Sequence, residues 1–212
     1  MPDRAKLVPL WFVGVLAVLV TSQIFRLFQT DAILWTLCDY SGRLGALALL
    51  WIIPAARKVA YQRQPLRTSW WETILWIIGM VILFSTFCQW VRHAVDAAIP
   101  GTKLGSYPIL YDWFYIFDLT AGMVLVAVQE EIVFRRCSRE VFGARWGQGA
   151  ITIFLSSLLF AAYHWTTGLG NMAAVFFFGV YAMLFLRRTG ALWPLIVAHA
   201  LNDFVQFSGL FR

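Results

Sequence analysis

Gln129-Glu130-Glu131-Ile132-Val133-Phe134-Arg135-Arg136 ends an apolar run, Trp113 to Val128, that reads as lipid-embedded apart from Asp118. Two adjacent carboxylates thus fall at the end of a membrane helix, with two guanidiniums just beyond. An ionisable side chain at membrane depth costs about 2.5 kcal/mol or more, and it persists where function or pairing requires it. Two further intramembrane signals follow downstream, Tyr163-His164 and His199-Ala200-Leu201-Asn202-Asp203.

Composition sets the class. The chain is 60% hydrophobic and only 13% charged, where a soluble domain carries about a quarter charged residues. The reading is an all-α, polytopic transmembrane helix bundle of about seven helices, with six to eight possible. The apolar segments run approximately Leu7–Phe25, Ala32–Ala56, Trp70–Trp90, Trp113–Arg135, Gly149–Trp165, Met172–Leu186 and Leu192–Phe207. No small-residue cleavage site follows the first segment, so it is expected to be a retained helix and not a signal peptide. Ser69 and Glu72 have capping-box spacing before the third. Pro194 suits the first turn of the seventh. Residues 1–212 read as a single integral membrane domain, with 113–207 as the core that carries the chemistry. Cys38, Cys88 and Cys137 are odd in number and lack CxxC spacing, which argues against a disulfide framework or a zinc knuckle.

Charge gives the orientation. With the N-terminus cytoplasmic and every segment crossing, Arg4, Lys6, Arg57, Lys58, Arg63, Arg67, Arg135, Arg136, Arg139, Arg145, Arg187 and Arg188 gather on the inside, against Arg26, Arg43, Arg92, Lys103 and Arg212 outside or in the membrane. That bias accounts for the net charge of +6 without nucleic acid. Asp39 and Arg43 are four residues apart inside the second segment and read as a structural ion pair near the interface. His93, in a loop beside Arg92 and Asp96, reads as surface.

Helical spacing then sorts the candidates. Glu131 and Arg135, at i and i+4, face each other. Glu130 lies about 100° around the helix and is expected to be the less compensated carboxylate, suited to act as a general base. The alternative is that both carboxylates pair with Arg135 and Arg136 to close a helix end. His199 and Asp203 share a face, with Asn202 beside them. Gly147 lies midway between Glu130 and His164, so a hairpin turning there would bring the two level. Counted from the basic flank, Glu130 sits about 8–14 Å below the cytoplasmic surface. His199 comes to a similar depth; His164, counted from Gly149, fits less well.

Glu130-Glu131-x-x-x-Arg135, Phe160-x-x-x-His164 and His199-x-x-x-Asp203 resemble, in order, the three motifs of the CPBP family. These are the CAAX-processing and bacteriocin-processing intramembrane proteases, of which the Ras-converting CAAX endopeptidase is a relative. The resemblance covers about Trp113 to Phe207. It implies a glutamic intramembrane endopeptidase in which Glu130 activates a water. His164 would orient that water or polarise the carbonyl, and Arg135 would order Glu131. His199 and Asp203 would stabilise the oxyanion or set the imidazole tautomer. The family's third motif ends in Asn or Asp; since an ionised Asp203 would repel an oxyanion, orienting His199 is its expected role. A metal-free mechanism is favoured. Glu130, His164 and His199 could alternatively form a zinc site with an open water position, although no HExxH is present.

The partners expected are a membrane-anchored protein or peptide substrate and the lipid bilayer, with no nucleic acid. The expected location is a prokaryotic plasma membrane, with the active site nearer the cytoplasmic side. Two readings from other classes remain open: a catalytically silent scaffold, immunity or secretion partner, and a proton-coupled transporter. Internal repeats and paired broken helices would favour transport, and the sequence holds no repeat.

Overall fold

The computed structural model describes residues 8–208. Arg4, Lys6, Arg212 and the Leu7 start of the first segment lie outside them. Within the described residues each expected apolar segment forms a helix, and no strand occurs. The first is α1, Leu10–Leu27, followed by α2, Ala32–Ile52. Pro54 then opens a short helix, α3, Pro54–Ala60. The long α4 spans Trp70–Ala98, and α5 covers residues 112–146. After it come α6, Ala150–Tyr163, α7, Leu169–Thr189, and α8, Trp193–Phe207.

Local chemistry explains the boundaries. Asp31 accepts a hydrogen bond from Leu34 N at 2.8 Å and so caps α2. Ser69 accepts from Glu72 N at 3.2 Å, as the capping-box spacing predicts. The chain turns between α5 and α6 at Gly147, whose φ of 75° suits a residue without a Cβ. This is the hairpin tip expected from the spacing of Glu130 and His164. Gly190, also at φ 75°, ends α7.

α1 and α2 form a hairpin; α2 rests on α5, α6 on α7, α7 on α4, and α8 on both α4 and α5. The buried apolar cluster includes Phe12, Phe134, Phe160, Phe178 and Phe185. Large apolar side chains such as Leu75, Ile52 and Ile116 face outward, as do Trp51, Trp70, Trp71, Trp90 and Trp113. Glu130, Glu131, Arg135, Asp39 and Arg43 face inward. A soluble protein would not leave so much apolar surface in water; a bilayer accepts it and drives the polar groups inside. The architecture is that of a helical membrane bundle. α1, α4 and α7 have the length and apolarity of membrane spans, and α6 is apolar but shorter. Charges in α2 and α5 lower their hydropathy, and of these Asp39, Arg43, Asp118, Glu130, Glu131, Arg135 and Arg136 are buried.

Two helices contain wider turns. π-helical turns occupy Phe84–Cys88 in α4, and Asp118–Gly122 and Ile132–Cys137 in α5. Such turns frequently mark functional sites. The last of them begins directly after Glu131. In it the Phe134 carbonyl accepts hydrogen bonds from the Ser138 and Ser156 hydroxyls, at 2.6 and 2.5 Å.

Candidate active site

A cavity of about 200 Å³ lies among the helices, lined by Glu130, His164, His199, Asn202 and Asp203 together with Arg26 and Arg43. The three motifs therefore meet in one place. α5 supplies the carboxylates, the end of α6 supplies His164, and α8 supplies His199 to Asp203. His164 reaches the cavity because α6 stops at Tyr163, short of a full crossing, and the chain turns back at Trp165–Thr167. Glu130 and His164 come level because α5 continues as helix to Trp146, so both lie equally far in sequence from the tip at Gly147.

Glu131 is fully buried and bridges two groups. Its Oε1 lies 2.7 Å from His199 Nδ1, and its Oε2 lies 3.2 Å from Arg135 Nε. The spacing of Glu131 and Arg135 predicted the second contact. The first was not expected: Glu131 sits at hydrogen-bond distance from Nδ1 of the His199 ring. Asp203 Oδ2 stands 3.5 Å from Nε2, a longer approach, and its Oδ1 accepts from Asn202 Nδ2 at 3.3 Å. The Arg135 guanidinium also lies 4.0 Å from the centre of the Phe160 ring, a cation–π contact.

The expectation that Glu130 is the less compensated carboxylate is corrected by α2. Arg43 Nη1 donates to Glu130 Oε1 at 2.8 Å and to Gln129 Oε1 at 2.7 Å, while its Nε donates to Asp39 Oδ2 at 2.7 Å. Arg26 in α1 pairs with the other oxygen of Asp39. The Asp39–Arg43 pair is real, and it is buried against the site. Three guanidiniums (Arg26, Arg43, Arg135) interleave with three carboxylates (Asp39, Glu130, Glu131). Charges taken out of water need such partners, since an unpaired one would cost several kcal/mol. Glu130 keeps one oxygen clear of this pairing: Oε2 is 3.9 Å from His199 Nε2. That gap is too long for a direct hydrogen bond and short enough for one water to contact both groups.

His164 Nδ1 lies 2.9 Å from the Phe160 carbonyl oxygen. A carbonyl only accepts, so Nδ1 carries the proton. Gln23 Nε2 donates to the Tyr163 carbonyl at 2.7 Å, tying α1 to the end of α6. The connection between α4 and α5 lies over the cavity through Gly105, Ser106 and Tyr107. Leu104 N and Gly105 N both donate to the Thr166 carbonyl, at 3.0 and 2.9 Å. Tyr107 and Tyr40 donate to the same oxygen of Asp118, at 2.7 and 2.6 Å. His93 is exposed, as expected, but it lies within α4 and not in a loop. As for the possible zinc set, no three His, Cys, Asp or Glu side chains among the described residues are arranged to hold a metal ion. Glu130 Oε1 already faces a cation, Arg43.

Fold and site together define a helical membrane protein with a buried carboxylate–imidazole cluster open to an internal cavity. The family model for type II CAAX prenyl endopeptidase Rce1-like proteins matches residues 112–205. That stretch, which holds all three motifs, is similar to the Rce1-like family. No curated protein and no solved structure matches the chain.

Proposed function

We propose that this protein is an intramembrane endopeptidase that hydrolyses a peptide bond of a membrane-anchored protein or peptide, using water activated by Glu130. The observation that carries the reading is the 3.9 Å gap between Glu130 Oε2 and His199 Nε2 at the wall of the shared cavity. A water in that gap can give a proton to Glu130 Oε2 while its oxygen attacks the scissile carbonyl carbon. The bare Nε2 of a neutral His164 accepts the water's other proton as a hydrogen bond and so aims the attack. His199, as the imidazolium, donates from Nε2–H to the oxyanion and from Nδ1–H to Glu131 Oε1, which holds the ring. Collapse of the intermediate breaks the C–N bond, and Glu130 returns its proton to the leaving amine. Each of these steps uses only groups of the chain, and no metal ion is invoked.

The match to the Rce1-like family supports a substrate with a lipid-modified or otherwise membrane-bound end. The basic residues beyond Glu130, among them Arg139 and Arg145, support an active site nearer the cytoplasmic side. A prokaryotic plasma membrane is the setting we favour. Mass spectrometry of membrane-protein termini, comparing cells with wild type and Glu130→Gln, tests the reading. A peptide end made only by the wild type supports it and identifies a substrate. Identical termini at equal protein abundance would favour a silent scaffold instead.

A further inference from the structure

The geometry points to Arg43 as a positioning residue for Glu130, so that the first two helices, which lie outside the family match, form part of the catalytic machinery. Hydrolysis by Glu130 needs one carboxylate oxygen aimed at the water. A glutamate side chain has several rotatable bonds and will not hold such an aim unassisted. Arg43 is 6% exposed and binds Glu130 by Oε1 alone, which directs Oε2 toward His199.

Arg43 is itself fixed. Its Nε and Nη1 engage three acceptors, on Asp39, Gln129 and Glu130. Asp39 is pinned from its far side by Arg26, whose guanidinium lies 4.4 Å from the centre of the Trp35 ring. The planar fork of arginine can satisfy acceptors on two helices at once; the point charge of lysine cannot. The chain Arg26–Asp39–Arg43–Glu130 thus runs from α1 through α2 to α5. A purely structural salt bridge would need neither the Gln129 contact beside it nor access to the cavity. Arg43 has both.

This role rests on the peptidase reading, and the test separates the two. Purified wild type, Arg43→Ala and Arg43→Lys are assayed in lipid nanodiscs against a membrane-anchored peptide drawn from the termini comparison, with thermal unfolding followed in parallel. Arg43→Ala is expected to lose kcat by about 100-fold, the scale of a misplaced catalytic group, with KM little changed. Added guanidinium chloride at millimolar concentration should restore part of kcat by entering the vacated space. Arg43→Lys should fall between the two, and it carries the test if the alanine variant does not accumulate. Wild-type kcat in either variant overturns the role. So does a loss that follows the fall in stability and that guanidinium does not repair. A wild type that cleaves nothing overturns the peptidase reading and takes this role with it.

Discussion

His199 Nδ1 stands 2.7 Å from Glu131 Oε1, which joins the first motif to the third across the face where α5 meets α8. The second oxygen of Glu131 is held by Arg135, so one buried carboxylate both neutralises a guanidinium and orients an imidazole. Glu131→Gln retains an acceptor for Nδ1–H and loses the charge. It is expected to lower kcat by about 10- to 100-fold, with little change in KM. Both Glu131→Gln and Glu131→Ala leave Arg135 as a buried cation without its carboxylate, and breaking such a pair costs about 3–5 kcal/mol. Thermal unfolding in detergent should therefore show both midpoints below wild type, that of Glu131→Ala the lower because it also loses the acceptor for Nδ1–H; a wild-type midpoint in either would contradict the bridging role.

His164 offers the opposite combination. It is half-buried at the end of α6, and its Nδ1 contact is with a main-chain carbonyl, not with another helix's side chain. His164→Gln should therefore cost little stability while removing about 10²- to 10⁴-fold of kcat, the range of a lost acid–base group. A variant that stays folded and keeps wild-type turnover would remove His164 from the mechanism.

Much of this site was legible in the sequence because helical spacing fixes which side chains share a face. Glu131 and Arg135 meet as i and i+4 neighbours, and Gly147 marks the hairpin that levels Glu130 with His164. What spacing cannot show is a partner from a distant helix. Arg43 already had a complete local explanation in Asp39, and its reach to Glu130, 87 positions away, depends on how α2 packs on α5. Arg26, ending the first segment as a third charge near Asp39, was the available signal for a wider network. The π turns were equally silent: no residue of Ile132–Cys137 disfavours an ordinary α-helix. Its extra residue per turn is compensated by Ser138 and Ser156 at the Phe134 carbonyl, and Ser156 comes from a different helix.

Tyr107 lines the cavity from the α4–α5 connection. It ties the α4–α5 connection to Asp118 by one hydrogen bond at 2.7 Å and packs edge-on against Trp35. Tyr107→Phe keeps the ring contact and deletes the hydroxyl. A hydrogen bond to a charged group is worth about 1.5–3 kcal/mol, enough to loosen this connection without unfolding helices that make no use of it. Since Gly105, Ser106 and Tyr107 line the cavity and none of them contacts Glu130 or His199, the expected effect is a raised KM at nearly constant kcat. Steady-state kinetics on a membrane-anchored peptide would check it; a fall in kcat alone would mean that the connection acts on the chemistry instead.

Gly42 and Ser22 set the distance between α1 and α2, and with it the position of Arg43 one residue further along. A Cβ added at Gly42 would fall on the Cβ and Oγ of Ser22, atoms too close to the α1 backbone to swing away. The Ser22 hydroxyl is further engaged by the Cys38 carbonyl at 2.7 Å. Gly42→Ala must therefore push the helices apart, at about 1–3 kcal/mol for overpacking. It should also reduce kcat, because Asp39 and Arg43 move with α2 while Glu130 stays on α5. Ser22→Gly combined with Gly42→Ala removes the colliding atoms and should recover both the unfolding midpoint and turnover. Recovery of stability without recovery of kcat would show that activity does not depend on the spacing of these two helices.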